Sequence, residues 1–479
     1  MTTTKTQAWT WMGATASTLL LASALTACSS GGSGNSPGEA AEAAADTAEG
    51  DAAGKQTVTV SVFTEDRFLE EAAARFEQAH PDIDIEVRET VPTDTSGKNT
   101  IRIAGKDNGP AEEDIDKYVN AVGTALMSGK AADLISTNYL PVDRYLDKGM
   151  FADWTGIAGK DKDFNADAYY ERVLKGLTSG KTWYAIPVGY SLDVLVGNKA
   201  AIKQAGGVDD KTWTWEQFIA LCGQIASRTN ADGTKPQVLG GMKPEELLGY
   251  LTKTVYDQLV TKEGKAASFD EKAFRGYLEQ VKQLYDSGAV SDANLGRMQQ
   301  VFMPMSMSAP MELAILPSML GEGEGEVLQP PGSGKDEGLP FTSDLALALN
   351  DRSKVKPAAW EFVKFLLSEE MQASPAMMAF PVNQAAARTK LERFAEQQKS
   401  GGAKMMIKNK NGGEKQLMMT QEQIDSALKL LPSVGNYEGK DEKVLGIIKE
   451  ESAAFFAGSK SAEAVAKAAA NRITTYLNE

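Results

Sequence analysis

Side chains able to do covalent or metal chemistry are few in this chain. A single histidine, His80, stands among 479 residues, within Ala79-His80-Pro81-Asp82 at the end of a helical pattern. A Ser-His-Asp or Cys-His mechanism, or a multi-histidine zinc site, needs more imidazoles in one place than that. The proline that follows disfavours helical geometry at His80, which reads as an exposed helix-end residue. Gly332-Ser333-Gly334-Lys335 is the nearest approach to a phosphate cradle. A Walker loop needs a glycine, four residues, then Gly-Lys-Ser or Gly-Lys-Thr. Here Gln329 occupies the first glycine position and Asp336 follows the lysine, so this segment and Gly321 to Glu326 read as exposed loop. The 18 methionines are spread along the chain without clustered histidine or cysteine, which does not make a soft-metal site. No metal and no cofactor are expected. The balance of 50 Lys plus Arg against 65 Asp plus Glu leaves a charge of −15, the wrong sign for a protein that displaces counterions from nucleic acid.

The two cysteines, Cys28 and Cys222, belong to different settings. Residues 1–10 carry one lysine and no acid, and Trp11 to Ala27 is a short apolar run, which is the outline of a signal peptide. The run is marginal for a bilayer span and ends in Leu25-Thr26-Ala27-Cys28, then Ser29-Ser30-Gly31-Gly32. This resembles the lipobox of bacterial lipoproteins. The resemblance implies cleavage after residue 27, lipid on Cys28, and a protein held at the outer face of the cell membrane. Cys222 is then left to pack as a small apolar residue. Residues 28–56 are Gly, Ser, Ala and acid with almost nothing to bury, and such a stretch reads as a disordered tether.

The elements that must position any site begin at Thr57. Val58, Val60 and Val62 alternate with Thr59 and Ser61 as in a half-buried strand. Thr64 then opens a helix whose Phe68, Ala72 and Phe76 share one face, and Pro81 stops it. Ile83, Ile85 and Val87 alternate in a second strand, so the unit is βαβ with parallel pairing. A helix with Ile115, Val119, Val122 and Leu126 on one side follows, then a short strand over Ala132 to Ser136. Trp183 to Asn198 reads as extended chain crossing between lobes, and the segment after it to about residue 290 as mostly helical. Thr214 and Gln217 form a capping box, with Trp213 and Phe218 as a hydrophobic staple; Trp213 and Trp215 are read as core. Val301 to Met303 and Leu345 to Leu349 read as strands. Pro357 opens a helix with Trp360, Val363 and Leu367 inward, and Lys443 to Phe456 and Ala462 to Leu477 close the chain as helices.

Several stretches together resemble the extracellular solute-binding proteins of ABC importers, in the maltose-binding-protein-like branch and of Gram-positive lipoprotein type. They are Phe76-Glu77-Gln78-Ala79-His80-Pro81-Asp82-Ile83-Asp84-Ile85, Ala132-Asp133-Leu134-Ile135, Thr182 to Pro187 with Val196 to Lys199, Thr212 to Phe218, Ala358 to Leu366, Phe380 to Asn383, and Asn471 to Leu477. Their order over residues 58–479, behind the lipobox, carries the likeness. The resemblance implies an α/β, two-lobed periplasmic-binding-protein-like fold of type II, hinged around a ligand cleft. The expected N-terminal lobe is 57–187 plus about 340–385, and the C-terminal lobe about 198–330 plus 386–479. Hinge crossings are expected near 185–198, 331–344 and 383–388.

In that fold the ligand lies at the C-terminal ends of parallel strands, and cleft residues come from both lobes. By position those are Glu65 and Asp66 after the first strand, Asn138 and Tyr139 after Ile135, Met305 and Ser306 after Phe302, and Ser343 and Asp344 before Leu345. Carboxylates, amides and rings suit the hydroxyls and C–H faces of a saccharide, most simply an oligosaccharide. Trp183 and Tyr190 flank the crossing and either line the cleft floor or pack between lobes. Asp193, the sole charge between Ala185 and Gly197, faces the cleft or is hydrogen-bonded at its edge. The expected protein is a monomeric, non-enzymatic receptor that takes no nucleic acid and hands a small solute to ABC permease subunits. The alternatives are a surface-anchored carbohydrate-active enzyme using paired carboxylates such as Asp66 and Asp344, and a scaffold or sensor lipoprotein. Methionine in place of an aromatic ring at 305–311 leaves the solute class open.

Overall fold

A computed structural model describes residues 55–92, 110–229, 233–263, 266–293, 300–320, 325–408 and 414–478. The signal-peptide outline, Cys28 and the tether up to residue 54 lie outside the described residues, as do residues 321–324 of the acidic loop.

The described chain is α/β, built on a nine-stranded sheet. Its strands are β1 (Gln56–Val62), β2 (Ile83–Glu89), β3 (Leu134–Ser136), β4 (Ala185–Asn198), β5 (Phe302–Met307), β6 (Gly325–Leu328), β7 (Leu339–Leu349), β8 (Phe380–Pro381) and β9 (Val434–Tyr437). The path runs β5-β4-β7-β3-β1-β2, with β6 and β8 on β4 and β9 on β7. β1 is parallel to both β2 and β3, as the βαβ pattern requires. The alternating valines Val58, Val60 and Val62 are buried beneath α1 (Arg67–Ala79), which contributes Phe68, Ala72 and Phe76 to the same core. α1 begins later than Thr64 because Asp66 is the residue with a capping oxygen: its Oδ1 accepts from the N–H of Phe68 at 2.9 Å and of Leu69 at 3.0 Å. His80 caps the other end but is half-buried rather than exposed, its ring stacked on Phe76 at 4.2 Å.

β4 and β7 are long enough to serve two cores. The first half of β4 pairs antiparallel with the end of β7, as in Ile186 opposite Leu347, while its second half pairs with β5, as in Val196 opposite Met303. The first core gathers β1 to β3, α1, α2 (Glu112–Ser128) and α3 (Val142–Leu146), the last through Tyr145. The second holds α4 (Trp215–Ala226) and α5 (Pro244–Thr254), with Trp213, Trp215, Phe218, Leu247, Leu248 and Leu251. Thr214 forms its capping box and Trp213 meets Phe218 edge-on at 5.6 Å, the staple geometry. Cys222 is fully buried there, and burial pushes its thiol far up. Further along, α6 (Lys356–Leu366) returns Trp360 and Val363 to the first core.

The late chain packs differently from the expected lobe boundaries. α7 (Gln384–Lys399) and α8 (Gln421–Leu430) place Ala387, Leu391, Ile424 and Ala427 in the first core, while Val444 of α9 (Glu442–Phe456) and Val465 of α10 (Ala462–Asn478) lie in the second. The chain therefore makes its last passage between cores from Val434 to Val444, and not near 383–388. The apolar faces of α7 and α8 decide this, since each buries only one side. At the rim, Lys262 meets Asp143, Lys443 meets Glu112, and Arg144 donates to the Tyr476 carbonyl at 3.1 Å, each contact joining one core's elements to the other's. Among the described residues no helix is long and apolar enough to cross a membrane, and no group of His, Cys, Asp or Glu is arranged to hold a metal ion.

Candidate ligand-binding site

Two strand ends and two crossing strands bring the site together. Asp66 stands between β1 and α1, and Asn138 and Tyr139 follow β3. Ser343 and Asp344 are inside β7 rather than in a loop before it, at an irregularity where the pairing with β4 shifts register between Thr342 and Leu345. Asn138 donates from Nδ2 to the Asp344 carbonyl, which fixes this edge of the site. Tyr139 is the one non-glycine residue with positive φ among the described residues, at 62°, and its ring lies 4.9 Å from that of Phe63. Holding an aromatic residue there is unfavourable by about 1 kcal/mol or more, so the fold fixes that ring's direction against backbone preference.

Asp193 is the one residue of β4 between Ala185 and Gly197 that is not buried. Its Oδ2 lies 3.3 Å from Lys253 Nζ, with side chains 21% and 28% exposed. Lys253 and Tyr250 sit three residues apart on α5, on the face turned toward β4. Glu438 follows β9, its backbone N–H donating to the Phe341 carbonyl at 2.8 Å, and Glu442 opens α9.

The electrostatics show that these groups feel one another. Burial and then Asp193 push the Glu438 carboxyl up to about 7, with Lys253 and Lys440 opposing. Burial raises Asp344 as well, reinforced by Asp193 and Asp66. Asp344 is nevertheless an exposed residue, so water screens part of these charges. Glu442 is raised by burial and by Asp441 and Asp193 against the pull of Lys253. Burial works against the Lys253 charge, but Asp193, Glu438 and Glu442 outweigh it and hold the ammonium above its ordinary value. Around the carboxylates stand phenols: Tyr139 and Tyr437, each raised by burial and by Asp344, and Tyr250, raised by burial, Glu438 and Asp193.

A family model described as bacterial extracellular solute-binding protein matches residues 61–373, well over half of the chain. The chain belongs to that family. Solved structures share the two-lobed fold of these solute-binding proteins. An extracellular solute-binding protein family 1 from Alicyclobacillus acidocaldarius aligns with a TM-score of 0.55 at 16% identity over 90% of this chain and 100% of its own. The sugar-binding protein MalE from Xanthomonas citri gives 0.55 at 16% over 88% and 97%. A sugar transporter from Rhizobium etli in an open conformation gives 0.53 at 15% over 87% and 98%. No curated protein matches the chain. As a solute-binding protein of ABC transport it binds a small ligand and delivers it to a transporter.

Within this solute-binding protein the residues picked out from sequence divide into two sets. Asp66, Asn138, Tyr139 and Asp193 each meet Asp344 or share its electrostatic surroundings, and Asp193 is paired with Lys253. Ser306, in strand β5 and not in a loop after it, is exposed and faces Asp193 across the β4–β5 pair, so the two share a sheet face. Its neighbour Met305 points the other way and packs partly against the first core. Ser343 is buried, its hydroxyl donating to the Gly189 carbonyl at 2.6 Å, a clasp between β7 and β4. Tyr190 is 1% exposed, its ring stacked on Phe380 at 5.3 Å inside the first core. Trp183 is 5% exposed, tied by its backbone N–H to Asp153, with its indole N–H buried and unpartnered. Glu65 is exposed. Sequence reasoning passed over Lys253, Tyr250, Tyr437, Glu438 and Glu442. The signal available was Tyr437-Glu438-Gly439 between a short strand and a capped helix; Lys253 carries none, being one lysine on a polar helix face.

Proposed function

We propose that this solute-binding protein is a lipid-anchored extracellular receptor that captures a saccharide between its two cores and presents it to ABC permease subunits. One observation carries the reading: Asp344 and Tyr139, on first-core elements, feel Lys253 and Glu442, on second-core helices, with Asn138 bonded to Asp344 and with Asp193 and Glu438 near Lys253. A ligand touching both sets is held fully only when the cores are together, which is the differential contact that hinge closure needs. Carboxylates and an amide suit sugar hydroxyls, and the tyrosine rings suit C–H faces. In this reading Glu65, Trp183, Tyr190, Met305, Ser306 and Ser343 frame the site: Ser306 extends its rim, while Tyr190 and Ser343 stiffen the crossing strands.

The lobes on this reading meet at three passages, β4, β7 and Val434 to Val444. The anchor rests on Leu25-Thr26-Ala27-Cys28 and its polar sequel; mass spectrometry of the membrane-bound protein should find a diacylglyceryl-modified Cys28 at the mature N-terminus, and Cys28→Ala should release or mislocalise it. The receptor leaves its guest unaltered. Asp66 already spends Oδ1 on two backbone N–H groups, which argues against the pairing of Asp66 and Asp344 as acid and base. Turnover of a chromogenic glycoside would overturn this. The deciding experiment is a thermal-shift screen of mono- and oligosaccharides against peptide and polyamine controls, with small-angle scattering of the hits. A true ligand raises the melting temperature in proportion to the logarithm of its concentration and keeps the molecule compact.

A further inference from the structure

The charge balance at this site does not suit a neutral guest. Asp193, Asp344, Glu438 and Glu442 lie within reach of one ammonium, Lys253, which Asp193 already engages at 3.3 Å, and Asp66 adds its charge near Asp344. Lys440, the other cation that Glu438 feels, places its Nζ 2.8 Å from Asp257. Glu337 and Asp441 add further negative charge at the edges. Of the carboxylates near Lys253, Glu438 is buried while Asp344 and Glu442 are exposed; burying a carboxylate is unfavourable unless it is paired, and a protein that does so ordinarily supplies the counter-charge from somewhere.

Two groups point to where that charge belongs. Glu438 is 3% exposed, and Lys253 and Lys440 are the cations whose charge reaches its carboxyl. It lines a narrow recess together with Thr254, Pro340 and Asn436. The Tyr250 hydroxyl oxygen is buried without a partner, close enough to Glu438 and Asp193 to feel both charges. A buried phenol oxygen without a partner, within reach of a buried carboxylate's charge, is the complement of a charged donor. The neighbouring faces of Tyr139 and Tyr437 are surfaces on which a cation is also favoured.

We propose that the solute carries a protonated amine, seated by Asp193, Glu438 and the Tyr250 hydroxyl with Asp344 and Glu442 around it; resting on the saccharide reading above, this makes the ligand an amino sugar or an oligosaccharide that contains one. The ammonium donates to the Glu438 carboxylate and the Tyr250 hydroxyl oxygen and shares Asp193 with Lys253, while the remaining ring hydroxyls meet Asn138 and the rim.

The test compares four probes on the full chain near neutral pH by titration calorimetry: glucosamine tetramer, its fully N-acetylated counterpart, maltotetraose, and spermidine. Acetylation removes the charge and keeps the sugar, so the amine form should bind roughly 10- to 100-fold more tightly. That advantage should collapse in both Glu438→Gln and Asp193→Asn, each first shown by ligand-free thermal unfolding to be folded; Glu442→Gln replaces either one that is not. Equal or tighter binding of the N-acetylated or neutral tetramer overturns the amine inference and leaves the saccharide reading standing. Binding of spermidine alone keeps the amine and overturns the saccharide reading. Binding by none of the four overturns both.

Discussion

Glu438 gives a signature measurable without any ligand. Its carboxyl sits at about 7 in the folded protein, against about 4.3 in an unfolded chain. Below about pH 4 both states hold the proton and the group contributes nothing. Between the two values the unfolded state releases its proton while the folded state keeps it, so stability falls as pH rises, and the loss is complete above about pH 7. It amounts to something on the order of 3 kcal/mol. Glu438→Gln should therefore flatten the decline in unfolding free energy between pH 5 and 8 and leave the variant more stable at the alkaline end. Parallel urea-unfolding profiles for the two proteins would refute the assignment of this carboxyl. Tyr139 offers a second readout. Asparagine tolerates its left-handed backbone, so Tyr139→Asn should leave the melting temperature nearly unchanged while weakening the identified ligand by about tenfold, the worth of one ring face. A large fall in melting temperature would instead make the ring a packing residue.

Secondary-structure elements explain why only part of this site could be read in advance. Asp66, Asn138 and Asp344 are legible because each lies at a strand end or on a strand that the alternating apolar pattern marks out, and the βαβ rule says which ends matter. Lys253, Glu438 and Glu442 are not, because what makes them candidates is the meeting of α5, β9 and α9, which are distant in sequence and paired through no local pattern. The long strands β4 and β7 were visible as apolar runs, but the extension of β7 back to Leu339 was hidden by Pro340, which an edge position beside β9 tolerates. Helices α7 and α8 left a weaker trace, being alanine- and polar-rich with narrow buried faces. At the crossing, a methyl added to Gly189 of β4 would stand 2.5 Å from Met377 Cε and 2.9 Å from Ala379 Cβ. The methionine tip can swing away and the alanine cannot. Gly189→Ala should accordingly lower the unfolding free energy by about 1–3 kcal/mol, and a change within error in urea titration would show that β8 yields freely. At α4, Thr214→Ala removes a capping oxygen and should cost about 1 kcal/mol by the same assay.

At the scale of the whole molecule, the rim contacts join elements of one core to elements of the other. Lys262 with Asp143 and Lys443 with Glu112 are exposed pairs, the kind that salt screens. Raising the salt from 50 mM to 1 M should enlarge the radius of gyration of the ligand-free protein. Combining Glu112→Gln, Asp143→Asn and Arg144→Ala should do the same at low salt. An unchanged radius in every condition would mean that these contacts hold nothing shut. The position of Asp193 has a further mechanical meaning. It lies midway along the strand shared by both halves, near the axis about which they would turn, and a point on an axis is displaced least when the arms swing. Asp193 should thus meet an arriving solute first, sharing it with Lys253, whereas Tyr139 and Glu442, carried by elements of different cores, close on that solute afterwards. Arrival and retention fall to different side chains: damage at the axis should slow capture, and damage on the arms should hasten escape.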